Sequence, residues 1–306
     1  MLLTREEMTF DFGGARFDPV RDAKVLAWAM NQFLYGEVTG IQVGHWIYAA
    51  PDLDAARFLA RQAVEEFQHV GNFVRILELL GESPAPAHKA VRFLSTGAMP
   101  DNWEEHVTME MAIGEGLVLQ CFYAMIDTID HEEIVAILKR GVKQEERHVA
   151  FGEERTMRAL KDKPSVRRRL LGQAVVTSIA VGRIESYMKK NLPEDHAVLR
   201  QLPKFTRHTL AMMERRLQRM GLSDRPLSEM SALEKAKLVG LSFGEKALTN
   251  VAKSLLGPFG YGKLPRLTDI YLEDPDVRES SRVGRGPVSG SARGASRGDD
   301  AVAFEE

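Results

Sequence analysis

The sequence predicts an all-α protein built around a four-helix bundle. Apolar residues recur at helical spacing through most of the chain, and no convincing strand, hairpin turn or glycine-rich phosphate loop interrupts them. Two apolar helical segments also carry a glutamate and a histidine three residues apart, namely Glu66/His69 and Glu145/His148. At that spacing both side chains lie on one face of a helix, where one metal ion can use both.

The composition is that of an ordinary globular protein. Of its 306 residues, 44% are hydrophobic and 27% are charged, and the net charge is -2, so nucleic-acid binding is not expected. The N-terminus lacks the apolar core of a signal peptide, and no run approaches the roughly 20 apolar residues that span a bilayer. Cys121 is the only cysteine, which excludes an intrachain disulfide. These features predict a cytoplasmic protein with no membrane span.

Changes in pattern divide the chain into four regions. Residues 1–18 are expected to form an N-terminal arm whose phenylalanines pack over the core. Residues 19–162 are expected to form the bundle, and residues 163–274 to form additional helices packed on it. Residues 275–306 are rich in Ser, Gly and Arg, and such a segment cannot offset its ordering entropy by burial. The sequence therefore predicts a disordered C-terminal tail.

Capping and turn residues predict the bounds of the helices. Asp18-Pro19 is typical of an N-cap followed by proline at the first helical position, and Gly81 is typical of a C-terminal cap. Pro203 is expected to bend or interrupt a later helix. The bundle helices are predicted to span about 18–48, 52–81, 101–129 and 131–160. The later helices are predicted at about 164–192, up to 221, and 231–256.

The spacing of four glutamates predicts a metal centre. Glu37 and Glu66 are 29 residues apart, Glu115 and Glu145 are 30 apart, and each helix break falls midway. Residues equidistant from the turn of an antiparallel helical hairpin lie at the same height. Packing two such hairpins together brings four glutamates and two histidines to one level, which is the di-metal carboxylate arrangement. The predicted metal ligands are Glu37, Glu66, His69, Glu115, Glu145 and His148.

Charge balance indicates which cofactor would fit. Four buried carboxylates would each cost several kcal/mol if they were uncompensated. Two divalent cations neutralise them, and the imidazoles bind as neutral ligands. Oxygen and nitrogen donors suit iron or manganese better than a thiolate-preferring metal, so two ions, Fe/Fe or Mn/Fe, are predicted. A single Glu-x-x-His is more often a solvent-exposed pair; the symmetric set of six favours the metal centre.

Three further glutamates lie near the predicted ligands. Glu110 competes with Glu115, but it sits about 140° away around a helix of 3.6 residues per turn. It is therefore expected either to contact the ligands or to lie on the surface. Glu65 and Glu146 adjoin ligands, and metal-bound histidine usually donates its other nitrogen to a carboxylate or carbonyl. They are predicted to support the histidines, and a solvated or salt-bridged role is the alternative.

The segments around these residues resemble the ferritin-like di-iron carboxylate superfamily. Within it they are most similar to the ribonucleotide reductase small subunit-like group, especially its ligand-binding oxidases. The likeness covers about residues 20–160 and depends mainly on four segments and Tyr123. These segments are 33–37, 65–69, 115–117 and 145–152.

Departures from the family pattern bear on the activity. The radical-bearing reductase subunits place a tyrosine shortly after the first Glu-x-x-His, where this chain has Phe73, and another near the C-terminus, where it ends with residues 303–306, Ala-Phe-Glu-Glu. The ligand-binding oxidases form a Tyr–Val crosslink, whose positions correspond here to Glu110 and Gly40. Neither the radical nor the crosslink is therefore expected.

The resemblance implies an O2-activating di-metal oxidase or oxygenase acting on a mostly apolar small molecule or lipid. O2 is the co-substrate, and electrons are expected from an external reductase or ferredoxin, since no flavin, haem or iron–sulfur motif is visible. An aldehyde-deformylating oxygenase-type reaction is one alternative on the same site. A ferroxidase or metal-storage protein and a binding module are alternatives of other classes. A homodimer is left open.

Overall fold

The structure, a computed structural model, describes residues 5–93, 95, 100–191, 193 and 195–256. Within these residues the chain is helical, and its extended pairing is an isolated bridge between Phe17 and Ile129. The all-α prediction is confirmed for this part of the chain. The tail predicted for 275–306 lies outside the described residues.

The first long helix is shorter than predicted. After a single turn, α1 (Arg5–Met8), the chain forms α2 (Ala23–Gly40) and continues as a 3-10 helix (Ile41–Ala49). The prediction of one α-helix over about 18–48 is wrong at both ends. Asp18 caps a separate turn, because its Oδ1 accepts the backbone N–H of Val20 and of Arg21 at 2.8 and 2.9 Å. Beyond Gly40, another glycine and β-branched residues lower the α-helical propensity.

The second helix follows its predicted signals. α3 (Leu53–Leu79) begins after Asp52, whose Oδ1 accepts the Ala55 N–H at 2.7 Å. It ends before Gly81, which adopts the positive φ of 71° that glycine tolerates best. A linker and the short α4 (Lys89–Arg92) lead to the third long helix.

The third helix contains the largest departure from the predicted structure. It begins as α5 (Trp103–Glu105), becomes a π-helix (His106–Glu115) and continues as α6 (Gly116–Thr128). The N-cap is Asn102, one residue after the predicted start of the helix at about 101, and its Oδ1 accepts the Glu105 N–H at 3.0 Å. In a π-helix, hydrogen bonds join residues five apart. Glu110 therefore lies one π-turn before Glu115, and the predicted separation of about 140° is wrong.

The remaining helices complete the chain. His131 caps α7 (Glu132–Asp162) by accepting the Ile134 N–H on Nδ1 at 3.3 Å. Pro203 lies inside a continuous helix, so the interruption expected there is not observed. The other elements are a 3-10 turn (Pro164–Val166), α8 (Arg167–Asn191), α9 (Ala197–Arg219), a 3-10 turn (Leu227–Glu229) and α10 (Ala232–Leu256).

Two large apolar clusters hold the helices together, and a smaller third cluster contains Trp46, Leu59, Val107 and Met111. In the first, α2 packs on α3, α6 packs on α7, and α3 contacts α7. In the second, α8 and α9 pack over the π-helix. The arm packs on α9 through Phe10, whose ring centroid lies 5.3 Å from that of Phe205. Residues of the first cluster include Met30, Leu34, Val70, Phe73, Leu119, Phe122 and Ile134; those of the second include Ala112, Ile113, Leu170, Met213 and Leu217.

A buried charge cluster ties α1, α7 and α9 to the π-helix. Arg216 is fully buried, with Nε 3.0 Å from Glu153 Oε1 and Nη2 3.3 Å from Glu7 Oε1. Its Nη1 donates to the Ala112 carbonyl of the π-helix at 3.1 Å. A Cβ at Gly116 would overlap the guanidinium, so glycine makes room for it. Removing one partner of such a buried pair costs about 3–5 kcal/mol.

One helical stretch is long and apolar enough to cross a membrane by length and composition. It is Trp103–Thr128, and 44% of its most apolar part is buried inside the protein. Among the described residues it is the only such stretch. The core helix of a globular protein passes the same test, so this finding is consistent with the predicted absence of a membrane span.

We expect Gly152→Ala to destabilise the fold. At Gly152, α7 approaches the π-helix so closely that a Cβ would lie 2.6 Å from Ala112 N and 2.8 Å from Val107 O. These are backbone atoms that cannot move aside, so the free energy of unfolding should fall by about 1–3 kcal/mol in a urea titration followed by circular dichroism. Gly36→Ala on α2 is the matched control, because its Cβ meets nothing within 4 Å. It should be neutral or stabilise by up to about 1 kcal/mol; an equal loss in both variants would contradict the close-approach argument.

Candidate metal centre

Four side chains from three helices form the first group that could hold a metal ion. Glu37 on α2, Glu66 and His69 on α3, and Glu145 on α7 each offer one atom, and these atoms lie within 4.8 Å of one another. His69 Nδ1 is 2.9 Å from Glu145 Oε1, 3.1 Å from Glu37 Oε2 and 3.7 Å from Glu66 Oε2. All four residues are buried. The group thus offers three carboxylate oxygens and one imidazole nitrogen.

A second group of three side chains adjoins the first. It consists of Glu66, Glu115 at the end of the π-helix, and His148 on α7. His148 Nδ1 lies 3.5 Å from Glu66 Oε1, 3.8 Å from Glu115 Oε2 and 3.6 Å from Glu145 Oε2. Glu66 and Glu145 therefore each present one oxygen to each histidine. The two groups form one continuous cluster, which contains all six predicted ligands.

The outer nitrogens of the two histidines are held by residues of the opposite helix. His148 Nε2 donates to Glu65 Oε2 at 2.8 Å, and His69 Nε2 donates to Gln144 Oε1 at 2.8 Å. Glu65 also accepts hydrogen bonds from Arg61 at 2.8 Å and Arg147 at 2.7 Å. These contacts fix the rings so that each Nδ1 faces the carboxylates, as is usual for histidine beside a metal.

The other two neighbouring glutamates have different partners. Glu146 accepts a hydrogen bond from the Tyr123 hydroxyl, so the structure pairs it with a tyrosine and not with a histidine. Glu110 Oε2 lies 2.8 Å from His106 Nδ1, and the His106 ring stacks on Trp46 with centroids 4.9 Å apart. Of the three neighbouring glutamates, Glu65 contacts a predicted ligand directly.

Two glutamines beside the cluster were not predicted. Gln62 Nε2 donates to Glu115 Oε1 at 2.8 Å and to Glu66 Oε1 at 3.2 Å. Gln62 lies four residues before Glu66, hence on the same helix face, which the spacing alone could have indicated. Gln144 lies immediately before Glu145, just as Glu65 lies immediately before Glu66. Because Glu65 pairs with His148, the histidine of the other helix, the internal repeat could have indicated that Gln144 pairs with His69.

Burial and mutual repulsion strongly shift the ionisation of the cluster. Burial raises the pKa of Glu37 and Glu115 well above the usual range of a glutamate. Burial also opposes ionisation of Glu145, but the adjoining imidazoles of His148 and His69 outweigh it and hold the pKa of Glu145 far below that range. The imidazoles are desolvated, yet the surrounding carboxylates raise the pKa of both histidines well above the usual value. In protein stripped of metal, protons on the imidazoles thus neutralise part of the carboxylate charge.

The residues present fit a pair of divalent cations. His148 Nδ1 and Glu115 Oε2 are buried, lie 3.8 Å apart, and have no hydrogen-bond partner among the described residues. Each orphaned buried polar atom costs about 1–3 kcal/mol. A cation bound between them would satisfy both atoms, and it would replace imidazole protons as the source of positive charge. The oxygen and nitrogen donors match the preferences of iron and manganese.

Comparison with known proteins adds no relative, since no protein-family model, curated protein or solved structure matches the chain. The structure itself defines the class: an all-helical protein, in the part it describes, with a buried carboxylate–histidine cluster that could hold metal. The ferritin-like resemblance remains an expectation from the sequence.

In metal-free protein, we expect Glu145→Gln and Glu37→Gln to differ in stability. The depressed pKa of Glu145 means that its anion stabilises the fold at neutral pH, and this contribution is lost as the pH falls towards the folded-state pKa. Glu145→Gln should therefore lower the free energy of unfolding at pH 7 by about 3 kcal/mol. Burial raises the pKa of Glu37, so its ionised form does not stabilise the fold as that of Glu145 does, and Glu37→Gln should cost about 1 kcal/mol or less.

Urea unfolding in the presence of a chelator measures both changes. If Glu37→Gln destabilised the metal-free protein as much as Glu145→Gln, the assigned ionisation pattern would be wrong.

Proposed function

We propose that this protein is a non-haem di-metal oxidase or oxygenase that activates O2. The observation that carries the proposal is the pair of overlapping ligand groups sharing Glu66. Single glutamates come from two helices, Glu37 and Glu115, and a Glu-x-x-His comes from each of two others, which is the pattern of ferritin-like di-metal proteins. On this proposal α2, α3, the π-helix with α6, and α7 form a ferritin-like four-helix bundle.

Each ligand has a role in the proposed centre. Glu66 would serve both metal positions, and Glu145, which belongs to the first group, also presents one oxygen to His148. Glu37 and Glu115 would each hold one ion, together with the Nδ1 atoms of the two histidines. Two bound ions, Fe/Fe or Mn/Fe, would together supply the electrons that reduce O2.

Apolar side chains border the proposed centre beside His148. Phe58 meets His148 edge-on, with centroids 6.1 Å apart, and stacks on Phe151 at 3.9 Å. Both phenylalanines pack against an apolar cluster that contains the buried residues Leu59 and Met111. This apolar border beside His148 supports a mostly apolar substrate, such as a small molecule or lipid, which would be hydroxylated, desaturated or N-oxygenated.

Electrons for repeated turnover would come from an external reductase or ferredoxin. Cys121 is the only cysteine, so the chain has too few thiolates for a cysteine-ligated iron–sulfur cluster of its own. Together with the sequence features above, this favours a cytoplasmic enzyme supplied by a partner protein.

A ferroxidase or metal-storage protein is the second candidate, because the same carboxylate-rich cluster could oxidise Fe(II) without an organic substrate. An aldehyde-deformylating reaction would use the same centre on another substrate. The additional helices α8 and α9, which cover the π-helix, exceed a minimal ferritin bundle and favour the enzyme.

We expect the purified protein to bind about two iron or manganese ions per chain, as measured by elemental analysis. Glu145→Ala and His148→Ala should lose most of this metal, because each removes a donor from the buried cluster. Glu154→Ala on the exposed face of α7 should retain it and serves as the control. Absence of both metals from wild-type protein, with folding retained in Glu145→Ala, would overturn the proposal.

Iron loading in air separates the enzyme from the storage protein. An oxidase or oxygenase should stop near two ions per chain, and denaturation of the purified protein should release an apolar molecule or its oxidised form for mass spectrometry. A storage protein should continue to accumulate oxidised iron beyond that number. Accumulation of many ions per chain, without any organic product, would favour the ferroxidase.

A further inference from the structure

The two proposed metal positions are surrounded differently. The first position is formed by Glu37, Glu66, His69 and Glu145, which offer four donor atoms within 4.8 Å of one another. The second position is the group of Glu66, Glu115 and His148, which offers three. The sequence repeat alone would make them equivalent, but residues outside the repeat also contact the two positions differently.

Gln62 contacts Glu115 and the Glu66 oxygen that faces the second position. Its side chain is buried, and its Nε2 reaches Glu115 Oε1 at 2.8 Å and Glu66 Oε1 at 3.2 Å. Glu66 Oε1 is the oxygen that lies 3.5 Å from His148 Nδ1, whereas its Oε2 faces His69. By holding Glu115 Oε1, the amide leaves Glu115 Oε2 directed towards His148.

Gln144 has the corresponding place at the first position. Its Oε1 accepts the His69 Nε2 hydrogen bond at 2.8 Å, and its Nε2 donates to Gln68 Oε1 at 3.0 Å. The second hydrogen bond fixes the direction of the amide, so that its oxygen faces the histidine. The imidazole at the second position is held differently, by the carboxylate of Glu65.

We propose that Gln62 and Gln144 are positioning residues, each serving one metal position. This inference rests on the proposed di-metal function. Gln62 donates to Glu115 and to Glu66, and it fixes the orientation of Glu115. Gln144 fixes the His69 ring with Nδ1 towards the carboxylates. The two positions therefore differ in affinity, and the first, which has more donors, fills before the second.

Titration of metal-free protein with Mn(II) under anaerobic conditions tests the inference. Free Mn(II) is followed by electron paramagnetic resonance, so the readout does not depend on activity. Wild-type protein should show two dissociation constants at least about tenfold apart. Gln62→Met should weaken the second position by about 10–100-fold, the usual effect of losing an outer partner of a ligand, and leave the first within about threefold. Gln144→Met should weaken the first position selectively.

Two further variants complete the experiment. Gln62→Asn keeps an amide but is too short to span the same distance, so it should reproduce the selective loss even if the methionine variant folds poorly. Gln120→Met removes another buried amide, one without a hydrogen-bond partner among the described residues, and should leave both constants unchanged. Thermal unfolding of each metal-free variant verifies that it folds.

The outcomes distinguish this inference from the proposed function. If wild-type protein binds no Mn(II), the di-metal proposal itself fails. If two ions bind but Gln62→Met and Gln62→Asn match wild type, or if Gln62→Met and Gln144→Met weaken both positions alike, the assignment of one amide to each position is overturned while the di-metal proposal stands.

Discussion

The burial of four carboxylates and two imidazoles at one level of a helical core is the constraint on which the rest of this structure depends. Such a cluster is unstable as a set of bare anions, so positive charge must reach it. Imidazole protons or metal ions supply this charge at the centre. Further out, Arg61 and Arg147 neutralise Glu65, which in turn holds His148. The arginines thus compensate the charge of Glu65 near the surface, and the imidazoles or metal ions compensate the charge of the buried glutamates.

The π-helix follows from packing around this centre. α7 can approach it closely because Gly152 has no side chain, and a Cβ there would meet backbone atoms of the π-helix. Arg216 reaches the same segment from α9 and donates to the Ala112 carbonyl, with Gly116 leaving space for the guanidinium. Two glycines and one buried arginine therefore support the distorted segment that ends at Glu115.

The sequence predicted those features that depend on local period or on distance from a turn. Glu37, Glu66 and Glu145 lie on regular helices, so counting residues from the turns placed them correctly beside one another. Glu110 was misplaced relative to Glu115, because apolar spacing does not reveal a change from 3.6 residues per turn to the wider π-helical turn. The Gln62 contact with Glu115 was missed for a related reason: it joins residues distant in sequence and depends on the relative placement of two helices.

The two proposed metal positions differ in exposure and in number of donors, and this difference indicates which of them faces the substrate. The Glu115 side chain keeps 18% of its surface exposed, against 7% for Glu37, although the repeat makes them counterparts. The second position has fewer donors, and the aromatic ring of Phe58 borders its histidine. An open coordination position and an apolar contact surface are what an O2-activating centre needs on its substrate side. In the proposed enzyme, substrate therefore approaches the position of Glu115 and His148, while the Glu37 and His69 position is the more enclosed of the two.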